Sequence, residues 1–238
     1  MKYILNSFGV LLLLTICACS SVYVESPRNA SVDSDVYFLD GTLFYNGSIT
    51  SAKNNEAFDL IERNNVESLF INSPGGDVES AIQLSSRVRL HKIDVHIEEF
   101  CASSCANYVV PAAKRVFLSK NAILLWHGSS YQDDASESVL SGDEDYKKWR
   151  ELESKFFSEV GVSPLVTVCG IDQISLTDKA LNFLSIKKLA GFTYSLEDLR
   201  KFGLNNVAIK ESGWSPEYEY KGMKIVKVNY CNDVSWEY

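Results

Sequence analysis

The chain has 238 residues, 46% of them hydrophobic, and carries a formal net charge of −8. That acidic balance excludes a nucleic-acid partner, because a phosphate-binding surface needs an excess of Lys and Arg along one face, and no basic stripe is visible. The length suffices for one well-packed α/β domain with an extension.

The N-terminus reads "MKYILNSFGVLLLLTICACSS": Lys2, then an apolar run over 8–16 that is too short to span a bilayer comfortably. Residues 1–18 therefore read as an exported signal segment. Ile16-Cys17-Ala18-Cys19 resembles a bacterial lipobox, which implies that Cys19 is lipidated and anchors the chain in the cell envelope on the periplasmic side. Serine at position 20 would favour the outer membrane. An ordinary signal peptide cut near Ala18, or an uncut signal anchor, is the alternative. Residues 19–35 are polar and aperiodic and read as a tether. In an oxidising compartment Cys101, Cys105, Cys169 and Cys231 can pair, and four cysteines allow three connectivities.

Folding is expected to start near Val36. "VYFLDGTL" is a strand-type run broken at Asp40-Gly41, and "ITSAKNNEAFDLIERN" carries Ala57, Leu60 and Ile61 at helical spacing. "VESLFIN" is a buried-type strand, followed by a helix over 77–90 with Val78, Ala81, Ile82 and Val88 on one side. "IDVHIEEF" predicts a third strand, "SSCANYVVPAA" a helix, and "KRVFLSKNAILLWHGS" two more short strands. This alternation predicts an α/β fold whose mainly parallel sheet is flanked by helices. Next, "YQDDASESVLSGDED" reads as a solvated, mobile loop and "YKKWRELESKFFSEVG" as an amphipathic helix. Short helices follow over 177–183 and 195–202, the second terminated by Gly203. The tail alternates aromatic and β-branched residues around Lys221-Gly222, which predicts a C-terminal β-hairpin. The main domain is thus placed at 36–212 and the extension at 213–238.

Two glycines in "FINSPGGDVESAI" free the backbone to turn sharply before a helix, with N–H groups placed for an anion. "INSPGGDVESAI", "CASSCANYVVPAAKRVFL" and "ILLWH", with "SLEDLRKFGL" at 195–204, resemble the proteolytic subunit of the Clp protease in the crotonase-like superfamily. Exported bacterial Clp-like proteins with a C-A-S-x-C motif are more similar still. The resemblance implies repeated ββα units and a serine peptidase acting on peptides or proteins. It implies Ser103 as nucleophile, His127 as general base, and the amides of Gly76 and Ser104 as oxyanion hole. It further implies no metal or nucleotide cofactor, and self-association that the tail hairpin would alter or block. An ATP-driven unfoldase partner is not expected outside the cytoplasm.

The chemistry suits those assignments, since a serine hydroxyl needs a base within hydrogen-bond reach and an imidazole titrates near neutral pH. Other readings stay open. Ser103 is also a common helix N-cap type, and a slip of one residue makes Ser104 the nucleophile. Cys101 or Cys105 offers a thiolate, or the two form a disulfide bracing the serine turn. A metal site from Cys101, Cys105 and His127 lacks a fourth ligand. His127 can also be read as a core histidine, while His91 and His96 carry no partner signal and read as structural or surface.

The departure from the family lies at Gly191, which aligns where the Clp subunit carries an aspartate; "LAGFTYS" holds no carboxylate. Either a Ser-His dyad operates or another group orients the imidazole: Thr193, Tyr194, Asp172 or Asp178. Losing the orienting acid lowers the rate about 10⁴-fold in triad enzymes. A catalytically degenerate binding or scaffold lipoprotein is therefore the first alternative. A crotonase-type acyl-CoA enzyme is the second, disfavoured because coenzyme A is not expected outside the cytoplasm.

Overall fold

The structure is a computed structural model that describes residues 35–132, 142–210, 213–216 and 218–231. The signal segment, Cys19, the tether up to residue 34 and residues 133–141 of the acidic loop lie outside the described residues.

Asp40 and Gly41 both take left-handed backbone, with φ of 47° and 79°, the requirement of a two-residue hairpin turn. They join β1 (Val36–Leu39) to β2 (Thr42–Asn46) in antiparallel register. Thr50 and Asp77 cap α1 (Ser51–Arg63) and α2 (Val78–Leu90), their side chains accepting from the Lys53 and Ser80 N–H groups. β3 (Ser68–Asn72) lies between those helices. After α2 come β4 (Asp94–Ile97), β5 (Phe100–Ala102) and a π-helical turn, Cys105–Val109, that runs into α3 (Val110–Ala112). β6 (Arg115–Leu118), β7 (Ile123–Leu125) and α4 (Glu144–Val160) follow. The remainder is a short 3₁₀ turn (Pro164–Thr167), α5 (Leu176–Phe183), β8 (Leu189–Thr193), α6 (Leu196–Lys201), β9 (Val207–Ile209), β10 (Glu219–Tyr220) and β11 (Met223–Lys227).

The main sheet runs β1-β2-β3-β4-β6-β9, and every pairing after β1–β2 is parallel. Strand alternation puts Leu43, Leu69, Ile71, Val95 and Val116 in one core with Ala57 and Ile61 of α1 and Ala81, Leu84 and Val88 of α2. The other face carries a row of rings, Tyr37, Phe44, Phe70, His96 and Phe117, with successive centroids 4.5 to 5.3 Å apart. His96 is a structural member of that row, and partial burial lowers its pKa. His91 is an exposed residue at the C-cap of α2.

Three details differ from the sequence expectation. "IDVHIEEF" is two strands, β4 and β5, because the chain leaves the main sheet at Glu98-Glu99 and β5 pairs with β7 instead. In α2 the buried stripe is Ser80, Ala81, Leu84, Ser85 and Val88, with Val78 and Ile82 only half-buried. Small residues face inward where α2 packs on the turn after Ser103. Finally, α4 begins inside the acidic stretch: Asp143 caps it and Glu144 and Asp145 occupy its first turn, where negative charge complements the helix dipole. The tail forms the expected hairpin at Lys221-Gly222. β11 then continues a second sheet by pairing in parallel with β8, and a Cys169–Cys231 disulfide ties the tail to the segment before α5.

Candidate active site

β5 and β7 run parallel with Phe100, Cys101 and Ala102 opposite Ile123, Leu124 and Leu125. The Ser103 N–H continues that ladder, donating to the Leu125 carbonyl at 2.9 Å. Ser103 and His127 therefore leave neighbouring strands at the same carboxyl edge, the edge at which α/β sheets place ligands. Ser103 has φ 54°, a left-handed conformation uncommon for a non-glycine residue, and its side chain is half-buried. A serine on such a sharp strand-to-helix turn presents its hydroxyl outward. Strain of this kind, about 1–3 kcal/mol, persists only where surroundings over-determine it. Here the Ser103 carbonyl accepts from the Asn107 N–H at 2.8 Å. A Cys101–Cys105 disulfide spans the turn with a Cα separation of 5.3 Å.

The glycine turn closes the other side. Ile49 N–H donates to the Gly75 carbonyl at 2.8 Å and Asp77 N–H to the Ile49 carbonyl at 3.1 Å. A Cβ on Gly75 would lie 2.7 Å from the Ala102 oxygen and 2.8 Å from both the Ser103 Cβ and the Ser104 nitrogen. One on Gly76 would run into the Ile49 carbonyl. The two glycines thus serve different neighbours, and the one against the serine turn is Gly75, which sequence reasoning passed over. Ser104 donates its hydroxyl to the Gly76 carbonyl at 2.8 Å and is buried, so that hydroxyl is occupied. The Gly76 and Ser104 amides donate to no acceptor among the described residues.

Trp126 and Phe192 exchange backbone hydrogen bonds of 2.9 and 2.8 Å in an antiparallel bridge. That bridge sets Gly191 beside His127: a Cβ there would fall 3.1 Å from the His127 Cβ and on top of the Trp126 carbonyl. Gly191 is adjacent to the histidine, and the backbone approach leaves no room for a side chain. Two of the other suggested partners are committed elsewhere. Tyr194 donates its hydroxyl to the Val166 carbonyl at 3.0 Å, and burial raises its pKa. Asp178 holds Lys224 at 2.7 Å and accepts from the Ser175 hydroxyl, bonds that lower its pKa. Asp172 is exposed. Thr193 is buried, and among the described residues its Oγ1 has no hydrogen-bond partner. His127 is exposed, and among the described residues the structure has no hydrogen bond between its ring and the Ser103 hydroxyl; such bonds commonly tighten only in the substrate complex.

Sequence reasoning missed the groups that fix the segment after His127. Asn107, one turn beyond Ser103, donates to the Gly128 carbonyl at 3.1 Å. Glu153 is fully buried and accepts from the Ser130 N–H at 2.9 Å and from the hydroxyls of Ser130 and Tyr108. Burial pushes its carboxyl pKa up. The available signal was periodicity: Glu153 shares the helical face of the buried Phe156 and Phe157.

Two clefts meet at His127. One, of about 220 Å³, is apolar and is lined by Pro74, Phe100, Ala102, Leu125, Tyr220 and Met223. The other, of about 460 Å³, is lined by Gln132, Ile174, Asn182, Gly191 and Phe192. His127, Leu189 and Ala190 border both. The tail hairpin therefore contributes two side chains to the site, a role its alternating pattern did not announce. No protein-family model and no curated protein matches the chain.

Proposed function

We propose that this protein is a serine peptidase with a Clp/crotonase-like ββα architecture, lipid-anchored through Cys19 and facing the periplasm. One observation carries the reading: a serine in left-handed backbone at a strand end, packed against a glycine turn, with two uncommitted amides beside it. Ser103 attacks a peptide carbonyl and His127 takes its proton, then returns it to the leaving amine. The Gly76 and Ser104 N–H groups hold the oxyanion, each contributing roughly 3 kcal/mol. The apolar cleft beside Ala102 receives a large apolar side chain of the substrate. With no side chain at Gly191, the imidazole works in a dyad. The two disulfides support an oxidising compartment.

A binding or scaffold role is the second reading, favoured by the exposed His127 ring and the side-chain-free position next to it. Fluorophosphonate labelling of the purified protein separates the two. Wild type is expected to label, with Ser103→Ala silent and His127→Ala at least 10²-fold slower. A folded wild type that does not label overturns the hydrolase reading and leaves the scaffold.

A further inference from the structure

Helix α5 is amphipathic by sequence, yet none of its residues is buried. Leu176 and Phe183 are seven residues apart and so lie on one face, and they are 84% and 87% exposed. The turn after the helix adds Leu184 at 61% and Ile186 at 70%. Single exposed apolar side chains are ordinary, but four together form a patch that marks an interaction surface. Lys179, Lys187 and Lys188 flank it and are exposed. The nearest carboxylate on the helix, Asp178, is already held by Lys224. A chain of net charge −8 thus gathers three exposed lysines around its most exposed apolar cluster.

We infer that this patch seats on a membrane surface rich in anionic phospholipid. Apolar side chains would enter the boundary between headgroups and acyl chains while the lysines pair with phosphates, the pattern of an interfacial helix. Among the described residues no helix is long and apolar enough to cross a membrane, so the patch lies on the bilayer rather than in it. A second copy of the chain is a poorer occupant, because a two-fold contact sets the same patch against itself and would oppose lysines to lysines. The orientation has a consequence for the larger cleft. Asn182 of α5 lines it and accepts the Leu189 N–H at 2.9 Å, so seating α5 on lipid brings the mouth of that cleft to the membrane surface.

The test uses the full-length protein on vesicles and Phe183→Trp emission, corrected for the four native tryptophans. Lipids carrying quenchers in their acyl chains should cut the added emission at least twofold on vesicles containing phosphatidylglycerol, and clearly less on phosphatidylcholine alone. Converting Lys179, Lys187 and Lys188 to Gln should erase that difference. Because the readout is the position of residue 183, attachment of the chain through its N-terminus cannot mimic it. Unquenched emission on both vesicle types overturns the inference. So does a dimer in lipid-free ultracentrifugation that Phe183→Glu dissociates, which would assign the patch to a second copy.

Discussion

Placing an aspartate at position 191 tests the packing around the histidine most severely. By the resemblance to the Clp subunit, Gly191→Asp should complete a triad and raise the rate by up to about 10⁴-fold. The structure predicts the opposite. A Cβ at this position would overlap the Trp126 carbonyl and press on the His127 Cβ. The variant can fold only by opening the Trp126–Phe192 bridge, which carries two backbone hydrogen bonds. Each is worth about 1 kcal/mol net, and overpacking a well-filled site adds roughly 1–3 kcal/mol. The combined loss of about 3–5 kcal/mol should lower Tm by roughly 10 °C for a domain of this size. It should also displace His127 and slow fluorophosphonate labelling. Calorimetry and labelling kinetics of wild type and variant read both effects. A Gly191→Asp protein with unchanged Tm and faster labelling would refute the assignment of Gly191 as an obligatory close-contact glycine.

Other expectations concern the supports of the site. Burial raises the folded pKa of Glu153, so its contribution to stability is full below the unfolded value of 4.5 and is lost as pH rises through the folded pKa. The stability of wild type relative to Glu153→Gln, from urea unfolding, should accordingly decline as pH is raised from 4.5; a difference independent of pH contradicts this. Opening Cys169–Cys231, which closes a loop of 62 residues, should reduce stability by about 4 kcal/mol, against about 2 kcal/mol for the four-residue Cys101–Cys105 loop. Serine substitutions and urea unfolding measure both. Tyr220→Ala and Met223→Ala should lower kcat/KM for substrates with a large apolar residue at the scissile bond about tenfold and leave alanine substrates unchanged. Equal losses on both substrates would remove these side chains from the specificity pocket.

The order of elements along the chain was legible because strand and helix periods differ and because Asp40-Gly41, Asp77 and Lys221-Gly222 are turn and cap types with strong local preferences. The pairing of β5 with β7 was not, since nothing local tells Glu98-Glu99 from the rest of a continuous strand. At the site, "SPGG" and "CASSC" announced themselves as turns. Which glycine faces which neighbour depends on backbone approaches across 27 to 29 residues of chain, and only the folded structure shows that Gly75 meets Ser104 while Gly76 meets Ile49. Glu153 was hidden because a glutamate in a charged helix normally faces water, and its buried position is set by Ser130 and Tyr108. The parallel β8–β11 pair likewise brings together segments that sequence periodicity treats independently.

The nucleophile assignment can be tested atom by atom. Ser103 is half-buried and held in a left-handed turn, while Ser104 spends its hydroxyl on the Gly76 carbonyl. After fluorophosphonate treatment of wild type, fragmentation of the peptide spanning 101–105 should locate the adduct on Ser103, and Ser104→Ala should still label. An adduct on Ser104 or on a cysteine, or none on a folded protein, would contradict Ser103 as the attacking group.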